Sequence, residues 1–185
     1  MKRVSVIGTT GSGKTTFASA LAAGIGAAHV ELDGLFWETG WKMAELDTFR
    51  GRVRSAISGE RWVVDGNYRA AGVLDLVWSR ADTVVWLDYP LPLVLVRLFR
   101  RIVARIRDGA ELWPGTGNRE TVRNAFFNRD PLLWFAVRTH RGRRRRLAEA
   151  LARPEHAHLK AHRFTRPADA ERWLEAQRGL VAPRI

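Results

Sequence analysis

Two spacings of apolar residues alternate along this chain, and they predict strands and helices in turn. Short apolar runs indicate buried strands at 2–7, 28–32, 61–64 and 83–87, with a weaker one at 157–164. Apolar residues that recur every three or four positions predict helices over about 14–25, 44–58, 72–79, 92–107, 131–151 and 168–178. This order predicts an α/β fold in which a five-stranded parallel sheet is flanked by helices. Ligands of such sheets bind at the carboxyl ends of the strands.

Residues 8–15 read Gly-Thr-Thr-Gly-Ser-Gly-Lys-Thr and match the pattern G-x-x-x-x-G-K-[ST] between the first strand and the first helix. In this context, which is typical of P-loop NTPases, loop N–H groups and the helix N-terminus bind phosphate. Lys14 reaches the β- and γ-phosphates, and the Thr15 hydroxyl holds Mg²⁺. The alternative is a glycine-rich turn that only joins a strand to a helix. The motif predicts a site for ATP and Mg²⁺ formed by Gly8, Thr9, Thr10, Gly11, Ser12, Gly13, Lys14, Thr15 and Thr16.

Three aspartates stand where the predicted second, third and fourth strands end. Asp65 follows the apolar residues 62–64, as a Walker-B acid does, which predicts that it binds Mg²⁺ through water. Asp33 is expected to accept a proton or a hydrogen bond from a hydroxyl group of an acceptor substrate. Both precede glycine, so a plain turn is the alternative for each. Asp88 is equally suited to a site and to a cap of the loop before Pro90.

Composition limits the classes of function. The formal net charge is +12, but residues 97–146 contain fourteen arginines and four acids, so most of the charge lies in one segment. This concentration weakens a reading in which the whole surface binds a polyanion. The chain has no cysteine, which excludes disulfides and thiol catalysis. No signal peptide or membrane-spanning run is recognised, so we expect a soluble, cytoplasmic protein without a membrane partner.

Three segments carry a resemblance to a known family: 33–41 (Asp-Gly-Leu-Phe-Trp with Trp41), 61–68 (Arg-Trp-Val-Val-Asp-Gly-Asn-Tyr) and 81–88 (Ala-Asp-Thr-Val-Val-Trp-Leu-Asp). With the glycine motif, they resemble the adenylate-kinase-like P-loop kinases. Within these, the chain is most similar to the ATP-binding proteins labelled DNA topology modulation or FlaR-related. The resemblance implies a nucleoside-monophosphate-kinase-like fold over residues 1–185. It also implies an acceptor-binding region at 33–60 and an arginine-rich lid at about 108–141, where glycines and Pro114 predict a mobile excursion.

The resemblance also assigns roles to arginines. Asp88-Tyr89-Pro90 followed by Arg97 and Arg101 is similar to the adenylate kinase pattern, which implies that Arg97 packs on adenine and Arg101 contacts the transferring phosphates. A four-residue step puts both on one helix face, and guanidinium groups suit phosphate oxygens. Residues 65–69 resemble the adenylate kinase Asp-Gly-x-x-Arg, which implies that Asn67 and Arg69 lie near the acceptor. For any single arginine, a solvated helix face is the alternative.

The lid arginines and the acceptor are less constrained. Arg138 is the expected catalytic lid residue, and Arg141, one turn later, is expected to contact phosphate. The run Arg143–Arg146 faces all sides of a helix, which predicts that most of it is solvated. Where adenylate kinases have Thr-Gly-Asp, this chain has Phe36, Trp37 and Trp41. These side chains either contact substrate, as we expect for Trp37, or simply pack, and AMP is not implied as the acceptor.

These observations favour a kinase that transfers the γ-phosphoryl group of Mg-ATP to a small acceptor, such as a nucleotide, a nucleoside or a similar metabolite. Lys14, Arg101 and Arg138 are expected to stabilise the charge of the transferring phosphoryl group, and Asp33 is expected to orient the acceptor. A nucleic-acid-binding ATPase is the first alternative, because aromatic residues lie within or beside the arginine-rich segment (Trp113, Phe126, Phe127 and Trp134). A nucleotide sensor without transfer activity is the second. No pattern in the chain predicts an oligomeric state.

Overall fold

A central sheet of five parallel strands organises the computed structural model, which describes residues 1–126 and 131–179. This described part of the chain has seven strands, of which β3 and β4 form a separate hairpin: β1 Arg3–Gly8, β2 Ala28–Glu31, β3 Trp37–Glu38, β4 Lys42–Met43, β5 Trp62–Asp65, β6 Thr83–Leu87 and β7 Lys160–Phe164. The sheet order is β2-β5-β1-β6-β7, and every neighbouring pair is parallel. The predicted α/β class and five-stranded parallel sheet are confirmed.

Within the described residues, eight α-helices surround the sheet: α1 Lys14–Ile25, α2 Leu32–Phe36, α3 Leu46–Ala56, α4 Val73–Trp78, α5 Leu91–Asp108, α6 Val122–Phe126, α7 Leu132–Leu151 and α8 Pro167–Gly179. All six predicted helices are present within a few residues of the expected bounds. Helices α2 and α6 are additional. Among the described residues, no helix combines the length and the apolar character needed to cross a bilayer. Phe127, Arg129 and Asp130, which belonged to the predicted excursion, lie outside the described residues.

Two apolar layers hold the helices on the sheet. On one face, Val4, Val6 and Val85 pack against α1 and α8. On the other face, Trp62 and Val84 pack with residues of α3, α4 and α7. Because both faces are covered, the strands read as nearly continuous apolar runs, which is why the sequence located them. The strand register aligns Gly8 with Leu87 and places Glu31, Asp65 and Phe164 at the same end of the sheet.

The segment after β2 differs from the expectation. The strand was predicted to continue to residue 32, but Leu32 and Phe36 are both buried one turn apart and form the short helix α2 instead. Asp33 therefore lies in the first turn of a helix and not in a turn that directly follows the strand. The hairpin β3–β4 comes next, with Trp41 between its strands.

The excursion after α5 packs onto this hairpin. Asn118 is buried, and its side chain accepts a hydrogen bond from Trp41 N (2.9 Å) and donates one to Glu38 O (2.9 Å). Trp113 lies edge-on to Trp41, with ring centroids 5.8 Å apart, and covers Gly34. Residues 109–121 thus form one wall above the region in which the sequence predicts acceptor binding.

Candidate active site

The loop between β1 and α1, residues 8–15 and hereafter the P-loop, fits closely against β6 and α5. Gly11 has φ +88°, and a Cβ there would lie 2.8 Å from Leu98 Cβ and 2.9 Å from Val94 O. A Cβ at Gly8 would lie 2.6 Å from Leu87 O. Both distances are shorter than real Cβ contacts, so only glycine permits this path of the backbone. The loop leads directly into the N-terminus of α1, where free N–H groups favour an anion.

Lys14 is the first residue of α1 and lies half-buried over the loop. Its Nζ donates a hydrogen bond to Thr9 O at 3.2 Å. Burial lowers the pKa of Lys14 to about 8, because protein atoms replace the water that would solvate the ammonium group. Asp33 and Asp65 oppose this lowering of the pKa, whereas Arg143 and Arg101 add to it. Four charged side chains from four different elements therefore lie within electrostatic range of one amine.

Asp65 is the last residue of β5, and its side chain is almost completely buried. His29 Nε2, from β2, donates to Asp65 Oδ2 at 3.2 Å. Burial, with the nearby charge of Asp65 as the next cause, raises the pKa of Glu31. The Thr15 side chain is exposed at the mouth of the P-loop. Over residues 1–126 and 131–179, no cluster of three His, Asp or Glu side chains is arranged to hold a metal ion.

Asp33 is held by a tyrosine that sequence reasoning did not select. Tyr68 Oη donates to Asp33 Oδ1 at 2.5 Å, and Tyr68 is packed between Phe36 and Phe49. Burial raises the pKa of Tyr68 far above its usual value, and the charge of Asp33 raises it further. The tyrosine therefore keeps its proton and fixes one carboxylate oxygen of Asp33. Tyr68 stands three residues after Asp65, within the segment 61–68 that carries the resemblance, which could have drawn attention to it. No neighbouring residue indicated that its partner is Asp33.

Two arginines from different helices lie within electrostatic range of Asp33. Arg101 of α5 has a buried Nε without a hydrogen-bond partner among the described residues. Burial lowers the pKa of Arg101, and Arg105 adds to the effect. Burial also lowers the pKa of Arg143, on α7, and its guanidinium stacks over the Phe135 ring at 5.5 Å. Asp33 counteracts the lowering of the pKa for both arginines, so its charge acts on both cations.

Arg97 lies on the outer side of the P-loop. Its Nη1 donates to Ser12 O at 3.4 Å, and its guanidinium lies 5.3 Å from the centre of the Tyr89 ring. Arg101 follows one turn later on the same helix and contributes to the lowered pKa of Lys14. The two arginines of the predicted four-residue step therefore border the P-loop from α5.

The other predicted substrate residues have mixed surroundings. Asn67 Oδ1 accepts from Gly8 N (3.2 Å) and its Nδ2 donates to Gly8 O (2.8 Å), so this amide fastens the start of the P-loop to the end of β5. Trp37 is half-buried and packs edge-on against Phe36. Arg69 is exposed at the start of a 3₁₀ turn. Their expected contacts with a substrate stay predictions.

The structure places a different arginine of α7 at the site from those that the sequence selected. Arg138 is exposed, and Arg141 lines a separate pocket that includes Arg163 of β7. Arg143 lies near Lys14 and Asp33, although it belongs to the run that was expected to be mostly solvated. A helix turns about 100° per residue, so a two-residue error in position changes the face completely. The roles expected of Arg138 and Arg141 stay predictions.

Helix α7 is fastened to the strand ends by two polar contacts. His140 is buried, and its Nδ1 lies 3.3 Å from Thr9 Oγ1 of the P-loop. Asp88, buried directly after β6, accepts hydrogen bonds from Arg144 of α7 and Arg163 of β7. Asp88 is therefore an ion-pair centre, a role that neither of the two readings from the sequence included. Both contacts were missed because they join residues far apart in the chain.

Searches with the sequence match no protein-family model and no curated protein. Solved structures do match. A gluconokinase from Sinorhizobium meliloti is 17% identical over 98% of this chain and 93% of its own, with a TM-score of 0.52. A shikimate kinase from Acinetobacter baumannii, in complex with shikimate, is 17% identical over 100% of this chain and 96% of its own, with a TM-score of 0.54.

A sugar kinase from Janibacter is also 17% identical, over 99% of this chain and 96% of its own, with a TM-score of 0.51. The chain has the fold of the P-loop kinases. Sequence identities of 17% show a shared fold, whereas the reaction depends on the residues of the site.

Proposed function

We propose that this protein is a kinase that transfers the γ-phosphoryl group of ATP to a hydroxyl group of a small acceptor. The observation that carries the proposal is the electrostatic convergence on Lys14 of a tyrosine-held carboxylate, Asp33, and two partly buried arginines, Arg101 and Arg143. A site that only binds nucleotide has no use for a carboxylate held within electrostatic range of the phosphate-binding amine. The fold of the P-loop kinases supports the same conclusion.

The residues fit ATP. The backbone path that Gly8 and Gly11 allow, the helix N-terminus and the half-buried Lys14 form a cradle for phosphate oxygens. Burial lowers the pKa of the Lys14 amine in the free protein, and a bound phosphate would restore its charge. Arg97 lies where a nucleotide extending from the loop along α5 would meet a flat cation, which is consistent with its expected contact with adenine.

The residues also fit Mg²⁺, which would be held by the exposed Thr15 hydroxyl and, through water, by Asp65. With few protein ligands at hand, phosphate oxygens and water would complete its coordination, as is usual for this ion. Bound there, Mg²⁺ would neutralise charge on the phosphates. Asp65 is fixed by His29, so its carboxylate is oriented before the nucleotide arrives.

The acceptor would bind between α2, Tyr68 and the wall formed by residues 109–121. Asp33 accepts the proton of the acceptor hydroxyl while that oxygen forms a bond to the γ-phosphorus and the bond to ADP breaks. Tyr68 holds one oxygen of Asp33 and so leaves the other to the acceptor. Lys14, Arg101 and Arg143 stabilise the negative charge that the transferring group spreads over its oxygens.

An assay of phosphoryl transfer to candidate acceptors tests the proposal and identifies the class of acceptor. We would incubate the protein with γ-labelled ATP and Mg²⁺ in the presence of nucleoside monophosphates, nucleosides, sugars or small hydroxy acids. Controls would contain no acceptor or duplex DNA. Labelled product in one class of well would support the kinase and name its acceptor. Free phosphate alone, released faster when DNA is present, would refute the proposal in favour of the nucleic-acid-dependent ATPase.

Asp33→Asn tests the assigned base. We expect the turnover number to fall at least about a hundredfold, within the usual range for general base catalysis, while ATP binding is kept. Asp47→Asn, which changes an exposed carboxylate on α3, is the matched control. Equal turnover of the two variants would contradict the role of Asp33.

A further inference from the structure

The arginine run of α7 faces two different sites. Arg143 approaches Asp33 and the P-loop, as described above. Three other arginines and one alanine of α7 lie on a neighbouring face, three or four residues apart. With Trp86 of β6 and Arg163 of β7 they line a pocket of about 290 Å³, here called the arginine pocket: Trp86, Arg141, Arg144, Arg145, Ala148 and Arg163. None of these residues belongs to the P-loop, and the proposed reaction uses none of them.

Two guanidinium groups of the arginine pocket are fixed in place. Arg144 Nε lies 2.7 Å from Asp88 Oδ1, and Arg163 Nε donates to Asp88 Oδ2 at 2.9 Å. The Arg163 guanidinium also stacks on the Trp86 ring, 4.4 Å from its centre. Surface arginines ordinarily lose side-chain entropy when they bind a ligand. These two have already lost most of it, so their outer N–H groups are ready to bind an anion.

The charges of the arginine pocket are unbalanced. Four arginines meet there, and Asp88, whose side chain is 1% exposed, is shared by two of them. Glu149 pairs with Arg145 at 3.3 Å, but both side chains are largely exposed, so this pair is weak. The lining therefore has excess positive charge in a small volume, and a bound anion would relieve the repulsion.

We propose that the arginine pocket binds a phosphate group of a second small ligand, separate from the nucleotide of the P-loop. Phosphate is the oxyanion that suits several guanidinium groups at once, because each planar fork can donate two parallel hydrogen bonds. The volume is at the lower end of that of pockets for small molecules, which are about 300–1,000 Å³. It accommodates a phosphate or pyrophosphate with a small body.

Ala148 offers a sharp test, because it is exposed, lines the pocket and forms no ion pair that the fold needs. Ala148→Glu places a carboxylate in the pocket, and Ala148→Gln adds the same shape without charge. Ser55→Glu, on an exposed position of α3, matches the change in net charge elsewhere. Lys14→Met would be present in all variants to weaken phosphate binding at the P-loop. Circular dichroism would check that each variant folds.

The measurement is isothermal titration with inorganic pyrophosphate at constant ionic strength. We expect Ala148→Glu to weaken binding at least about tenfold. At contact distance, the new carboxylate would repel the pyrophosphate anion and attract the arginines that bind it. Ala148→Gln and Ser55→Glu should bind as the parent does. Arg145→Gln, which removes a donor without touching Asp88, should weaken binding in the same direction.

Equal affinities of Ala148→Glu and Ala148→Gln would overturn the proposal, as would an equal loss in Ser55→Glu. The absence of binding in the Lys14→Met parent would assign all phosphate binding to the P-loop and overturn it too. Duplex DNA that binds more tightly than pyrophosphate and displaces it would mean that the pocket belongs to a nucleic-acid surface, which also contradicts a small ligand.

Discussion

The lowered pKa of Lys14 makes nucleotide binding depend on pH in a range where few other groups titrate. Burial brings the pKa of this amine to about 8 in the free protein, from its ordinary value of 10.5. Only the protonated amine donates to phosphate oxygens, so ATP selects the charged form. At a pKa of about 8, the charged fraction is about nine-tenths at pH 7, half at pH 8 and one-tenth at pH 9. The dissociation constant for Mg-ATP should therefore rise about tenfold between pH 7 and pH 9.

The same shift predicts proton uptake. Bound phosphate raises the pKa of Lys14 again, so the protein should take up about half a proton per ATP at pH 8 and about nine-tenths at pH 9. Titration calorimetry in buffers of different ionisation enthalpy measures this number directly. The terminal phosphate contributes little, because comparable phosphomonoesters lose their last proton at about pH 6. No uptake at pH 8, with an affinity that is independent of pH, would refute the reasoning.

Two lysine variants separate Lys14 from the rest of the chain, which has only four lysines. Lys14→Met should bind ATP weakly and without proton uptake between pH 8 and pH 9. Lys42→Met, at an exposed position of β4, should keep the wild-type profile. Without nucleotide at pH 7, Lys14→Met should also melt at a higher temperature than the wild type. At this pH the folded wild type holds a desolvated charge on Lys14, whose pKa is lower in the folded protein than in the unfolded chain, and this charge destabilises the folded state.

Two further substitutions test the site from α7 and from β5. Arg143→Gln should lower the turnover number at least about a hundredfold with little effect on stability, because an arginine that contacts the transferring phosphoryl group acts mainly in the transition state. The control is Arg146→Gln, at an exposed position of the same helix, which should be near wild type in the same steady-state assay. Equal losses in the two variants would remove Arg143 from the site. Asn67→Ala should lower the free energy of unfolding by about 1–3 kcal/mol in denaturant titration, because it leaves Gly8 N and Gly8 O without their side-chain partner. An unchanged unfolding midpoint would contradict this, because it would mean that water replaces the hydrogen bonds of the Asn67 amide.

The sheet and most helices were predictable because their residues are buried in simple patterns. Strands β1, β5 and β6 are covered on both faces, so each is a nearly continuous apolar run, and the glycine motif fixed the position of β1 relative to α1. The short elements at 32–43 were not predictable in this way. A helix of five residues and strands of two leave no period to detect, and packing against α3 and Asn118 determines their conformation.

The candidate site was predictable at the strand ends and not on α7. Lys14, Asp33 and Asp65 follow from their positions after strands, since parallel strands bring their carboxyl ends to one edge. Tyr68 was missed as the partner of Asp33 because the two residues meet only in the folded chain. Arg143 was missed because the rotation of α7 depends on contacts with other elements, which spacing within the helix does not reveal.

The concentration of arginine in residues 97–146 now has a physical explanation that does not require nucleic acid. Arg144 compensates the buried carboxylate of Asp88, and Arg105 lies 3.9 Å from the buried carboxylate of Glu120. Arg101 and Arg143 have lowered pKa values, so their charges cost free energy until an anion is bound. A segment that only coated the surface for a polyanion would keep its arginines hydrated and their pKa values at the usual level. Partly buried cations such as Arg101, whose buried Nε has no hydrogen-bond partner among the described residues, are instead suited to compact phosphate groups at defined places.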